Sequence, residues 1–185
     1  MNKKIVSVLA VSAMAVSAFG MGVSAEEDLI TVGYAQVGAE SDWRTANTES
    51  FKSTFVEENG YKLIFDDAQQ KQENQIKAIR SFIQQEVDYI VVAPVVETGW
   101  ETVLQEAADA GIPVILSDRM MDLADDSLYT CWVGGDFIKE GETCGDWLAS
   151  YLEEQGRGEE EINIVTIQGT IGASAQIGRT EGFAN

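Results

Sequence analysis

Runs of apolar, β-branched residues alternate along this chain with stretches whose apolar residues recur at helical spacing, and this alternation constrains the fold most strongly. The apolar runs predict strands at 29–37, 61–65, 87–93, 112–117, 129–133 and 162–167. The run at 87–93 (VDYIVVA) is continuous, as in strands that are covered on both faces of a parallel sheet. Strands that alternate with helices predict an α/β fold: a doubly wound parallel sheet with helices on both faces.

The intervals between these strands predict helices at 41–59, around 76–83, at 98–110, at 138–152 and after Gly172. Thr98 with Glu101 three residues later resembles a capping box, which predicts the start of the third helix. The glycine pair Gly169 and Gly172 has GxxG spacing rather than that of a dinucleotide loop, so it predicts a tight turn into the last helix.

Three segments are expected along the chain. Residues 1–25 have an early lysine pair, an apolar stretch and a small-residue ending, the order of a secretory signal peptide, although an uncleaved anchor is an open alternative. Residues 26–135 form a first lobe. Residues 136–185 begin a second lobe that is incomplete, because the single strand at 162–167 would have no partner for its backbone groups. We therefore expect the chain to be a fragment of an exported protein.

The composition excludes several function classes. The chain has 31 acidic against 12 basic residues, and this negative charge disfavours nucleic acid or anionic membranes as partners. It contains no histidine, the commonest general base and zinc ligand, so we expect neither an enzyme nor a metal site or cofactor. The spacing of Cys131 and Cys144 fits neither a metal site nor a redox motif, which leaves a structural disulfide or two buried thiols.

Charged residues follow the predicted strands at the points where they end. Trp43 and Arg44 come after the first strand, Asp118 and Arg119 after the fourth, and Arg179 beyond the last. Ligands of open α/β sheets bind outside the carboxyl ends of the strands, so these side chains are expected to converge on one small molecule.

The residue types in this set suit a neutral sugar. An indole packs on the C–H face of a sugar ring, while the forked groups of arginine and of a carboxylate bond its hydroxyls. The candidate sugar-binding residues are Glu40, Ser41, Asp42, Trp43, Arg44, Asp118, Arg119 and Arg179. Six of these eight residues also have a plainer interpretation: Trp43 as a core residue of its helix, Ser41 and Asp42 as helix caps, Asp118 with Arg119 as an exposed pair, and Arg179 as a surface charge.

Five segments carry a resemblance to the periplasmic sugar-binding proteins of ABC transporters, in the ribose- and galactose-binding type I class and most closely its galactofuranose-binding branch. They are VGYAQVGAESDWR (32–44), DDAQQKQENQIKAIRSFI (66–83), VVAPVVETGWETVL (91–104), PVILSDR (113–119) and IQGTIGASAQIGRTEGF (167–183). The resemblance implies two doubly wound lobes joined by a hinge, with a monosaccharide clamped between them. It also implies that Glu40, Trp43, Arg44, Asp118, Arg119 and Arg179 contact the sugar.

The function expected from this resemblance is that of an extracytoplasmic binding component that hands a pentose or hexose to a membrane permease, acting as a monomer. An exported sugar-sensing domain for a receptor or histidine kinase is an open alternative. A repressor effector domain shares the fold, but only three residues separate the expected cleavage site from the first strand, too few for a DNA-binding headpiece.

Overall fold

The structure, a computed structural model, describes residues 29–185. The predicted signal peptide lies outside the described residues. Five strands and five α-helices follow one another as β1 Ile30–Gln36, α1 Asp42–Thr54, β2 Tyr61–Asp67, α2 Gln72–Gln84, β3 Tyr89–Val92, α3 Glu101–Asp109, β4 Val114–Ser117, β5 Cys131–Val133, α4 Phe137–Glu154 and α5 Ser174–Ala184. Among these helices, none has the length and hydrophobicity needed to cross a membrane.

The strands form one parallel sheet in the order β2-β1-β3-β4-β5. On one face, Phe51 of α1 and Phe55 at its C-cap pack with Tyr34 in a small apolar cluster. On the other face, α2 and α3 pack over β1, β3 and β4 in the larger core, where Trp100 is fully buried. Helices therefore cover both faces, and the predicted α/β, doubly wound parallel sheet is confirmed.

The last two helices form a separate packing unit in which backbones touch. A Cβ atom added at Gly141 would collide with the carbonyl oxygen of Arg179, and one added at Gly182 would collide with that of Ile138. Only glycine permits such an approach, because it has no side chain. The sequence pattern does not predict this contact between α4 and α5.

The strand predicted at 162–167 is wrong for the described chain. This segment has no regular structure, and Val165 and Ile167 are 90% and 95% exposed. A strand needs a neighbour to bond its backbone groups, and within residues 29–185 no other strand lies beside this one.

Three smaller expectations are also corrected. The first helix ends at Thr54, and a 3-10 turn at Glu57–Asn59 precedes Gly60. The capping box at Thr98 does not form: Trp100 occupies the N-cap of α3 without a side-chain bond, and the carbonyl of Thr98 accepts a bond from Gln72. Cys131 and Cys144 are both free and exposed, so they are neither a disulfide nor a buried pair.

Candidate functional site

Four charged side chains meet at the carboxyl edge of the sheet. Glu40 follows β1, Arg44 lies in the first turn of α1, and Asp118 and Arg119 follow β4. Because β1 and β4 both flank β3, the residues after them are brought to one place. We call Glu40, Arg44, Asp118 and Arg119 the charged cluster.

Glu40 lies at the centre of the charged cluster. Its Oε1 atom accepts bonds from Arg44 Nε at 3.2 Å and from Arg119 Nη2 at 2.7 Å. Arg44 Nη2 donates to Asp118 Oδ2 at 2.5 Å. Residues that are 74 and 79 positions apart in sequence are thus joined in one ion-pair network. The expectation that these four side chains converge is therefore met, and the alternative of an exposed Asp118–Arg119 pair is wrong.

The two arginines of the cluster are buried, with 1% of Arg44 and 7% of Arg119 exposed. Burial lowers the pKa of the Arg119 guanidinium below its usual value, and the carboxylate of Glu40 opposes that shift. Two positive and two negative groups balance one another, so the cluster as a whole favours neither a cation nor an anion as its ligand. Its net neutrality fits an uncharged polar molecule.

Three buried polar atoms of the cluster have no hydrogen-bond partner: Glu40 Oε2, Arg44 Nη1 and Arg119 Nε. A buried polar group left unpaired costs about 1–3 kcal/mol, which is why such groups are rare in native proteins. One acceptor and two donors in one small region are what hydroxyl groups can satisfy together, since a hydroxyl both donates and accepts.

Backbone groups around Asp118 hold the turn that carries the cluster. Asp118 has φ of 65°, in the left-handed region that aspartate tolerates better than most residues. Its backbone N–H donates to Val133 at 2.7 Å, and its carbonyl accepts from the Trp132 indole at 3.0 Å. A Cβ at Gly134 would collide with this carbonyl and with the indole. The roles of Trp132 and Gly134 were not found from sequence, because only the folded turn shows them.

Polar contacts beneath α1 fix the position of Arg44. Tyr34 is fully buried and its hydroxyl donates to Asn47 Oδ1 at 2.8 Å, an atom that also accepts from Gln36 Nε2 at 2.8 Å. Burial raises the pKa of Tyr34 to about 12, so the phenol stays neutral and keeps its donor proton at physiological pH. The first helix is thus tied to β1 next to the charged cluster.

Ser41, Asp42 and Trp43 lie at the rim rather than in the network. Ser41 is the N-cap of α1 and accepts a bond from the backbone N–H of Arg44 at 3.1 Å, which confirms its capping role. Asp42 is exposed in the first turn, where its charge suits the helix dipole. Trp43 is 58% exposed, so its interpretation as a core residue is wrong; Arg44 Cζ lies 4.9 Å from its ring centroid.

Arg179 is near the charged cluster without a hydrogen bond to it. Its Nε donates to Glu140 Oε2 at 2.8 Å, and its guanidinium lies over the ring of Phe137. Arg179 and Arg119 both line a cavity of about 1320 Å³ that α4, α5 and the 164–170 segment surround. The positive charge of Arg179 is among the causes that lower the pKa of Arg119. The structure therefore brings Arg179 to the same cavity.

The start of α5 is docked on the sheet edge. The N–H of Glu97, after β3, donates to the carbonyl of Gly172 at 2.9 Å, and the N–H of Met120, after β4, donates to Ser174 Oγ at 2.9 Å. These two bonds place α5 and its Arg179 opposite the loops that carry the cluster.

Comparison with known proteins assigns the family. The family model described as periplasmic binding protein domain matches residues 32–185. The match covers the sheet, the charged cluster and both of the last helices. The chain belongs to this family of periplasmic binding proteins.

Three relatives show high similarity. The galactofuranose-binding protein YtfQ of Escherichia coli (strain K12) is 51% identical over 95% of this chain and 52% of its own length. A Mycobacterium smegmatis protein in complex with β-D-fucofuranose is 54% identical, with TM-score 0.78, over 84% of this chain and 50% of that chain. The arabinose-transporter binding protein of Shewanella sp. ANA-3, bound to L-arabinofuranose, is 51% identical, with TM-score 0.74, over 83% and 48%. The chain spans about half the length of these relatives.

Proposed function

We propose that the whole protein is the solute-binding component of an ABC sugar importer and that it binds a monosaccharide at the charged cluster. The observation that carries the proposal is the set of three buried, unpartnered polar atoms on Glu40, Arg44 and Arg119, of which Arg119 also lines the cavity. Their cost is offset when ligand hydroxyls bond them, so the cluster is organised for a polyhydroxylated ligand. A charged ligand would upset the balance of two positive and two negative groups.

The ligand we infer is a sugar in its furanose form, galactofuranose or a related pentose or hexose. In the proposed complex, Glu40 Oε2 accepts from one hydroxyl, while Arg44 Nη1 and Arg119 Nε donate to others. Trp43, exposed at the rim, packs against the ring, and Arg179 bonds the sugar from α5. Furanose sugars are named for all three relatives described above, which supports this choice.

The domain organisation we propose has residues 26–135 as one lobe and residues 136–185 as part of a second. The exposed apolar side chains of Val165 and Ile167 support it, because a second sheet would bury them as its core. The cavity between α4, α5 and this segment is the space such a sheet would fill. Contacts between α5 and the loops after β3 and β4 would then be contacts between lobes, which form when the lobes close on a sugar.

The site of action we propose is outside the cytoplasm, with residues 1–25 as a signal peptide and a membrane permease as the partner. The family's periplasmic location supports export. We further propose that the protein is a monomer that neither catalyses a reaction nor binds nucleic acid, in keeping with its negative charge and its lack of histidine.

Calorimetric titration of the full-length protein tests the proposal. Methyl glycosides locked in the furanose or the pyranose ring should be compared with the free sugars, so that ring form is separated from sugar identity. We expect saturable binding of at least one furanoside and weaker binding of its pyranoside. Absence of binding across the whole panel would overturn the proposed function.

A further inference from the structure

The side-chain amide of Gln75 is fully buried in α2 and bonds the ends of two strands. Its Nε2 donates to the carbonyl of Ala35 in β1 at 3.0 Å and to that of Ala93 after β3 at 2.6 Å. Its Oε1 accepts from the backbone N–H of Val95 at 2.9 Å. All of its hydrogen-bonding contacts are therefore to backbone groups at the sheet edge that carries the charged cluster.

The same turn supports a ligand-binding arginine on its other side. Arg119 Nη1 donates to the carbonyl of Val95 at 3.3 Å and lies 3.5 Å from that of Pro94, while its Nη2 bonds Glu40. The N–H of Val95 donates to Gln75, and the carbonyl of Val95 accepts from Arg119. Val95 alone therefore links the amide to the guanidinium. The direction in which the unpartnered Nε of Arg119 points depends on this support.

We infer that Gln75 is a positioning residue for Arg119: it fixes the 94–95 turn so that the guanidinium is held ready for the sugar. This inference rests on the proposed function. Only a side-chain amide combines two donor hydrogens, for the carbonyls of Ala35 and Ala93, with an acceptor oxygen for the N–H of Val95. A glutamate would place a second oxygen against those carbonyls, and an apolar residue would leave the carbonyl of Ala93 and the N–H of Val95 without the bonds that Gln75 makes.

The first test is the affinity of the full-length protein for the sugar found by titration. Gln75→Met keeps the length of the side chain and removes its hydrogen bonds. We expect a loss of affinity of about ten-fold or more, similar to the loss seen when residues that orient the ligands of a metal site are replaced. The matched control is Ile79→Val, one helical turn further along α2 and equally buried, whose apolar side chain forms no hydrogen bond. We expect Ile79→Val to bind normally; unchanged affinity in Gln75→Met would overturn the inference.

The second test reads Arg119 directly and needs no sugar. The Nε–Hε resonances of Arg119, Arg80 and Arg157 in an NMR spectrum of the full-length protein can each be assigned by substitution of that arginine. We expect Gln75→Met to shift or broaden the Arg119 resonance and to leave those of the exposed Arg80 and Arg157 unchanged. We expect Ile79→Val to move none of them.

An unmoved Arg119 resonance in Gln75→Met would refute the positioning role. Should that variant not fold, Gln75→Leu replaces it, since it also removes every hydrogen bond of the amide; we expect a shift of the same resonance, and no shift would refute the role equally. If the wild-type protein binds no sugar, the proposed function fails, while the NMR result still decides whether Gln75 controls Arg119.

Discussion

The sheet edge and the α4–α5 pair are stabilised by different kinds of contact. At the sheet edge, long charged side chains from distant loops bond one another, and Arg44 and Arg119 are buried with carboxylate partners. In the α4–α5 pair, glycines allow backbone to lie against backbone, while the adjoining 162–167 segment leaves its apolar side chains in solvent. Each strand of the first region has a neighbour within residues 29–185, whereas the 162–167 segment has no strand beside it there.

This contrast shows that a strand pattern is realised only where a neighbour is present. The run at 87–93 lies between β1 and β4 and forms β3, while the apolar run at 162–167 has no regular structure. Backbone hydrogen bonds, rather than local propensity, decide the difference.

The largest effect on stability is predicted for Val165→Asp, and it should differ between the chain of residues 29–185 and the full-length protein. In the chain of residues 29–185, Val165 is 90% exposed, so we expect its substitution to change the free energy of unfolding by less than about 0.5 kcal/mol. In the full-length protein, where we propose that Val165 is buried in a second sheet, the same change should cost about 4 kcal/mol. Urea denaturation of both chains measures this; equal small effects would contradict the two-lobe proposal.

Arg119→Ala should show how far the charged cluster depends on each member. Removing the guanidinium leaves Glu40 without one of its two partners and takes away a donor for the sugar, so we expect affinity to fall about 100-fold. Calorimetric titration of the full-length protein measures the loss. The control is Arg80→Ala, whose exposed pair with Glu106 lies outside the cluster and should leave affinity unchanged. Equal affinities of Arg119→Ala and Arg80→Ala would show that the charged cluster is not part of the binding site.

Gly182→Ala should show that the helix pair depends on backbone contact instead of charge. The new Cβ would meet backbone of α4, which cannot rotate away, so we expect a loss of about 2 kcal/mol in the free energy of unfolding. Gly169→Ala is the control, because its Cβ would point into open space. Chemical denaturation that gave the same stability for both variants would show that α4 and α5 are not packed in this way.

The smallest effect is expected at the rim of the cluster. Trp43→Ala removes an exposed indole that we propose packs on the sugar, and we expect affinity to fall about five-fold to ten-fold with little change in stability. Tyr89→Ala is the control, since that ring is also partly exposed, at 41%, but lies at the start of β3, at the opposite end of the sheet from the charged cluster. Titration of both variants decides whether Trp43 has a ligand-binding role.

The sequence predicted the parallel sheet and the meeting of Arg44, Asp118 and Arg119 because both follow from one rule. Apolar runs mark strands, and the residues after parallel strands share an edge, so the positions of Arg44 and Asp118 alone predict that they lie together. The positions of β1 to β5 were found for the same reason, with differences of one or two residues at most ends.

The remaining features depend on contacts that no local pattern encodes. Gln75 lies in a polar stretch like many surface glutamines, and only the fold places it between two strand ends. The carbonyls of Pro94 and Val95 hold Arg119, and a carbonyl leaves no signal in a sequence. The glycines Gly141 and Gly182 matter because two backbones approach each other there, and no local pattern shows that approach.

A crystal structure of the full-length protein with its bound sugar tests the central claim most directly. We predict hydroxyl oxygens of the sugar within about 3 Å of Glu40 Oε2, Arg44 Nη1 and Arg119 Nε, the three buried atoms that now lack partners. A sugar bound elsewhere, with those three atoms still unbonded or paired only with water, would contradict the claim that this cluster recognises the ligand.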